Sequence, residues 1–233
     1  MIEVRPFASL GKFRNDWLNA RHHFSFGEYR DRARLGFGSL RVWNDDEVAP
    51  GAGFEPHRHK EMEIITYIRE GAITHGDNLG NEGVTKAGDV QVMHAGTGIV
   101  HAEINREDVP TRLFQIWIIP DRTGVAPGWS TRAFPRAGEG LTVLASGRPQ
   151  DSGSEALPLN VNAAVLAGTL AKGRTVQVAL APGRGIYLVP ATGEVTVNGV
   201  KVGSRDGAAI TGETELSITA GADAELVLVD VAV

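Results

Sequence analysis

His57-Arg58-His59 and His101-Ala102-Glu103 each place two potential metal ligands two residues apart. On a β-strand successive side chains alternate between faces, so both members of each pair leave the same side. Two such strands lying side by side across a barrel interior bring three imidazoles and one carboxylate to a point. That donor set suits a borderline or hard-leaning divalent ion such as Fe(II), Mn(II), Ni(II) or Zn(II). Four protein ligands on an ion that accepts five or six leave room for substrate, water or dioxygen. The expected site is therefore an open catalytic one. Any one of these histidines alone would read as an ordinary core or surface residue. Two same-face pairs bracketed by glycine turns are much harder to obtain by chance.

The elements that must carry these pairs are strands. Short apolar runs rich in Val, Ile and Thr recur along the chain: 36–43, 63–68, 90–93, 113–119, 175–180, 186–189, 194–200, 215–219 and 225–231. Such runs favour extended structure. The breaks between them carry turn chemistry, as in Asp77-Asn78-Leu79-Gly80-Asn81, Val197-Asn198-Gly199 and Asp206-Gly207. Residues Lys12 to Ala20 are the one stretch that could supply a turn or two of helix. The expected class is all-β.

Composition shifts near the middle, where Pro135 to Pro158 is rich in Gly, Ser, Pro and charge. It reads as a linker or long surface connection. All seven histidines (22, 23, 57, 59, 75, 94 and 101) precede it. The expected division is a metal-binding module over 1–135, a linker over 136–158 and a second β module without metal ligands over 159–233.

The chain has 233 residues, a formal net charge of -5 and no cysteine. The charge implies no general affinity for nucleic acid. The absence of cysteine excludes disulfides, thiolate ligands and a Cys nucleophile, and it sits easily with a reducing cytosol. One stretch is locally basic, with Arg30, Arg32, Arg34 and Arg41, but Glu28 and Asp31 interrupt it. It reads as a solvated loop and strand edge. The first residues lack the apolar run of a secretory signal, and no segment has the roughly 18 apolar residues that span a bilayer. A soluble, cytoplasmic protein with no membrane partner is expected.

The segment Gly51-Ala-Gly-Phe-Glu-Pro-His57-Arg-His59-Lys-Glu-Met-Glu63, followed by Gly71, resembles the first sequence motif of the cupins. The segment Gly88-Asp-Val-Gln-Val-Met-His-Ala-Gly96-Thr-Gly98-Ile-Val-His101-Ala-Glu103 resembles the second. Seven residues separate Glu63 from Gly71, four separate Gly96 from His101, and a carboxylate stands two past that histidine. These spacings resemble the pirin-like branch, a bicupin family. Trp17 to Phe26 and Leu40-Arg-Val-Trp-Asn-Asp-Asp46 are similar to bacterial quercetinases of pirin type. The resemblance implies two cupin barrels (double-stranded β-helix or jelly-roll), the second degenerate. It implies metal ligation by His57, His59, His101 and Glu103, the four reached from strand parity. It further implies a quercetin 2,3-dioxygenase, in which dioxygen opens the central ring of a flavonol and carbon monoxide leaves. The expected ion is Fe(II), with Zn, Ni, Mn or Cu as alternatives. Glu103 is the candidate proton acceptor. A different class of function, proposed for eukaryotic pirins, is an iron-dependent redox-sensing regulator; a metal-dependent isomerase or small-molecule binder is a third.

Several neighbouring residues have expected places as well. By parity Glu63 shares a face with His57 and His59, so it is expected in the pocket wall or behind an imidazole that it orients. Glu61 has the same parity and could cap the barrel opening. His75 and His94 each could touch the site, although the odd offset of His94 from His101 points it away if the strand is unbroken. His22 or His23 could meet substrate from an arm packed by Trp17, Phe24 and Phe26. Phe54, Met62, Met93, Phe114 and Trp117 are available as walls for a flat aromatic substrate or simply as core. The second module has no His-x-His, and its expected role is to cover a face or edge of the first.

Overall fold

The computed structural model describes residues 1–134 and 140–233. Among them the chain forms 22 strands and two 3-10 turns. In the N-terminal half, a seven-stranded antiparallel sheet runs in the order β12 (Gly128–Ala133), β9 (Asp89–His94), β6 (Glu63–Glu70), β11 (Thr111–Ile118), β4 (Leu40–Val48), β3 (Leu18–His22), β2 (Gly11–Arg14). It faces a four-stranded sheet of β5 (Gly53–His59), β10 (Ile99–Ile104), β7 (Ala72–Asp77) and β8 (Glu82–Lys86). The C-terminal half repeats the plan. Its large sheet is β1 (Ile2–Arg5), β20 (Gly207–Thr211), β17 (Arg184–Thr192), β22 (Ala224–Ala232), β15 (Ala164–Leu170), β13 (Thr142–Ser146), β14 (Leu157–Pro158). Its small sheet is β16 (Thr175–Ala179), β21 (Glu215–Ala220), β18 (Val195–Val197), β19 (Val200–Val202). Each half is a cupin jelly roll built as two facing sheets rather than a closed ring of hydrogen-bonded strands.

Four layers result, and burial follows from them. The two large sheets pack face to face through Trp43, Ile65, Phe114 and Ile116 on one side and Val165, Tyr187, Val189 and Val229 on the other. Strands β6 and β22 are therefore covered on both faces and read as almost unbroken buried runs. The outer strand β16 keeps the strict alternation of a sheet with one wet face. The C-terminal interior is filled by aliphatic side chains, including Leu166, Ile186, Leu188, Leu216 and Leu228. The N-terminal interior holds only small apolar clusters, with polar side chains and a cavity between them.

Two expectations about elements are corrected. Lys12 to Ala20 is not helical: β2 and β3 form a hairpin, with Gly11 opposite His22 and Arg14 opposite Asn19. Leu18, Ala20 and His22 are buried alternately, which is period two rather than 3.6. The segment expected as a linker, 136–158, carries β13 and β14, both paired into the large C-terminal sheet. Its Gly, Ser and Pro content reflects short strands joined by turns. The first few residues of that segment, with Pro135, lie outside the described residues. The chain also crosses between halves at its start, because β1 pairs with β20 and not with the sheet it precedes.

Candidate metal centre

Strands β5 and β10 lie side by side, with His57 opposite His101 and His59 opposite Ile99. Between His101 and Glu103 the register slips, so that Glu103 stands opposite Phe54. The extra residue on β5 is a local bulge. It lets Phe54 and His57, three apart, face the same interior. Gly53 makes the close pairing possible, since a Cβ there would sit 2.1 Å from the Glu103 carbonyl oxygen.

The ligand nitrogens of His57, His59 and His101 lie within 4.8 Å of one another. Their rings are 4.5 to 5.1 Å apart between centroids. Hydrogen bonds fix which nitrogen is free. The Nδ1 of His57 lies 2.7 Å from the Glu55 carbonyl, which can only accept, so Nδ1 carries the proton and Nε2 the lone pair. The Nε2 of His75 lies 3.0 Å from the Asp77 carboxylate and donates to it, leaving the His75 Nδ1 as an acceptor. That atom is 3.5 Å from the Nδ1 of His101, whose own Nε2 is buried with no partner. A buried imidazole nitrogen without a partner, beside two others, is what an ion would satisfy. The donor set fits a divalent metal.

Electrostatics point the same way. Burial, reinforced by His57, pushes the His59 pKa down to about 4. Burial, with His57, His59 and His75 as secondary causes, takes His101 to about 3. Both imidazoles are neutral at pH 7, as ligation requires. Glu103 is almost fully buried, and burial pushes its carboxyl up. Its Oε2 accepts from Gln115 Nε2 at 2.9 Å and its Oε1 from the Thr66 hydroxyl at 3.2 Å and from Gln91. Glu103 groups with His75 and His101 rather than with the three converging histidines. The sequence-derived quartet is thus a tight trio with the carboxylate one ladder position away.

The trio opens into a cavity of about 430 Å³. Phe54 and Trp117 line it, with Trp117 edge-on to His59 at 4.9 Å and to Phe26 at 5.4 Å. Phe114 does not: it packs with Trp43 between the two large sheets. Met93 and Met62 sit in a cluster behind the wall. The N-terminal arm does reach the cavity. His22, Phe26 and Tyr29 line it, as do Phe13 and Leu18 of the β2–β3 hairpin. His23 points the other way, 2.9 Å from the Tyr187 hydroxyl.

Glu63 and His94 lie on the far side of the sheet. Glu63 binds His94 Nδ1 at 2.6 Å and accepts from the Asn160 backbone N–H at 3.0 Å. Glu63 thus orients an imidazole, but not one of the site. Parity along 57–63 fails because the chain breaks after His59, with Glu61 at φ 51. Glu61 does not line the cavity; its carboxylate accepts from the Gly124 N–H. Sequence reasoning missed Asn44, Asp46, Thr66, Gln91 and Gln115. The one signal for them was weak: each is a polar side chain within a mostly apolar strand, and only the strand ladder gathers them.

The Pirin family profile matches residues 3–118 and that of the quercetinase C-terminal cupin domain matches 143–231. The chain belongs to the pirin family. A pirin-like protein of Caulobacter vibrioides is 56% identical over all of both chains. The quercetin 2,3-dioxygenase of Escherichia coli K12 is 38% identical over 99% of this chain and 98% of that one. The crystal structure of the bacterial pirin YhhW from Escherichia coli in complex with nickel(II) has a TM-score of 0.94 and 37% identity, covering 100% of this chain and 99% of that one.

Proposed function

We propose that this pirin is a metal-dependent dioxygenase that opens the central ring of flavonols such as quercetin and releases carbon monoxide. The observation that carries the reading is the convergence of three imidazoles, with a buried carboxylate beside them, at one side of an aromatic-walled cavity. The names of the relatives support the substrate class, and the nickel-bound neighbour supports an occupied site in the family. His57, His59, His101 and Glu103 would hold the ion, with Fe(II) as the working metal. An ion held there would supply a positive charge that favours the deprotonated flavonol 3-oxygen.

The protein groups have separate tasks. Glu103, the carboxylate grouped with His101, takes the 3-hydroxyl proton on a carboxyl oxygen. Gln115, Gln91 and Thr66 hold that carboxylate in place. Phe54 and Trp117 offer flat apolar walls that exclude water from the electron-rich substrate. The Asp77–His75 pair keeps the Nε2 lone pair of His101 aimed at the ion.

The test is quercetin consumption by Fe(II)-reconstituted protein, followed by loss of flavonol absorbance under air and under argon. Consumption under air alone is expected. No consumption under air, with metal bound, would overturn the reading.

A further inference from the structure

One wall of the cavity is polar, and it carries a carboxyl oxygen with no hydrogen-bond partner among the described residues. Asn44 and Asp46 on β4 face the interior with Gln115 of the neighbouring strand. Two of the three are committed within the protein. The Oδ1 of Asn44 is 2.8 Å from the Nδ1 of His22, and Gln115 donates to Glu103. Asp46 is 2% exposed, lines the cavity, and its Oδ1 is buried without a hydrogen-bond partner. Its sequence neighbour Asp45 faces the opposite side and is paired with Arg69 and Arg205. The strand thus provides for one carboxylate and leaves the other unprovided.

A buried carboxyl without a partner is costly, and such groups are rare in folded proteins unless a ligand or water completes them. Position narrows the ligand. Along β11, Trp117 stands beside His59, and Asp46 is opposite Leu113, four residues further on. Glu103 bonds Gln115, two residues from Leu113 on the same strand, so Asp46 lies one step along the cavity wall beyond the site's carboxylate. A ligand with one oxygen at the histidines and a flat body along the cavity can therefore present a second hydroxyl to Asp46. Taking the flavonol reading as its basis, we propose that Asp46 is a specificity-determining residue that accepts a hydrogen bond from a ligand hydroxyl other than the metal-facing one. The favoured ligands are polyhydroxylated flavonols over those bare of ring hydroxyls.

The test uses equilibrium binding, which does not depend on turnover. Metal-loaded protein under argon is titrated with quercetin and with 3-hydroxyflavone, which lacks the ring hydroxyls, and tryptophan fluorescence is read. Wild type should prefer quercetin by about tenfold or more, the range of a hydrogen bond to a charged or strongly polar group. Asp46→Leu should bring the two affinities within about twofold by weakening quercetin alone, and Asp46→Asn, which keeps an acceptor oxygen, should restore part of the preference. The ligand-free Asp46→Leu protein should melt at or above wild type, because an unsatisfied carboxyl has been removed; a structural role would lower the melting temperature. Unchanged discrimination in folded Asp46→Leu and Asp46→Asn would overturn the assignment while leaving the flavonol reading intact. Failure of wild type to bind either flavonol would overturn both.

Discussion

Removal of the His101 imidazole takes away the nitrogen that stands buried and unpartnered at the centre of the trio. His101→Ala should abolish metal retention, measured by elemental analysis after dialysis, together with turnover. Glu103→Gln should separate the two. It keeps the hydrogen-bonding shape but not the proton acceptor, so metal content should fall less than turnover, which should drop by about 10²-fold or more. Equal losses of metal in His57→Ala, His101→Ala and Glu103→Gln would contradict that division of roles. Acid should act through His59 and His101, whose pKa values lie at about 4 and about 3. Both sit below the ordinary 6.5, so protons compete with metal only well into the acid range. Metal content followed across pH should stay flat through pH 6.5 and fall towards pH 4. In the metal-free protein the sign is the same. As pH drops below 6.5 the unfolded chain takes up protons that the folded imidazoles refuse, so the melting temperature should fall.

At the scale of elements, the site depends on how closely β5 and β10 approach. Gly53→Ala puts a methyl 2.1 Å from the Glu103 carbonyl oxygen, and the strands must part. A loss of about 1–3 kcal/mol in unfolding free energy is expected, with weakened metal retention, read by denaturant titration and elemental analysis. The same element shows how much the sequence could disclose. His57, His59 and His101 were legible because strand parity is local and survives within an unbroken strand. Parity misplaced Glu63 because the left-handed residue Glu61 intervenes between β5 and β6. The polar wall of Asn44, Asp46 and Gln115 was hidden for a different reason. It is assembled from β4 and β11, some 70 residues apart in sequence, and only the ladder brings them together. The β2–β3 hairpin was missed because two short strands, the outer one at the sheet edge, leave a weak pattern.

For the whole molecule, the second half is a packing partner whose own interior is closed by aliphatic side chains. Its large sheet buries the back of the N-terminal large sheet, the one that faces the histidine-bearing strands across the cavity, and polar clamps cross the seam: Arg205 to Asp45, Tyr67 to Glu225 and Asn160 to Glu63. That partnership was foreseeable from a second β module without histidines, but its geometry was not, because the residues on both sides of the seam are ordinary core residues by type. Asp45 is fully buried between Arg69 and Arg205. Asp45→Ala should lower stability by about 3 kcal/mol, since it strands buried cationic charge. Calorimetry should still show one transition, because the two halves share a core. Two separate transitions in the wild type would contradict that coupling.

The central claim is tested most directly by carbon monoxide release from quercetin, measured on anaerobically Fe(II)-reconstituted protein after admission of air, with His101→Ala alongside. The expected result is carbon monoxide in step with flavonol loss in the wild type and none above background in the variant. Metal uptake by the wild type without carbon monoxide, or equal release by both proteins, would contradict it.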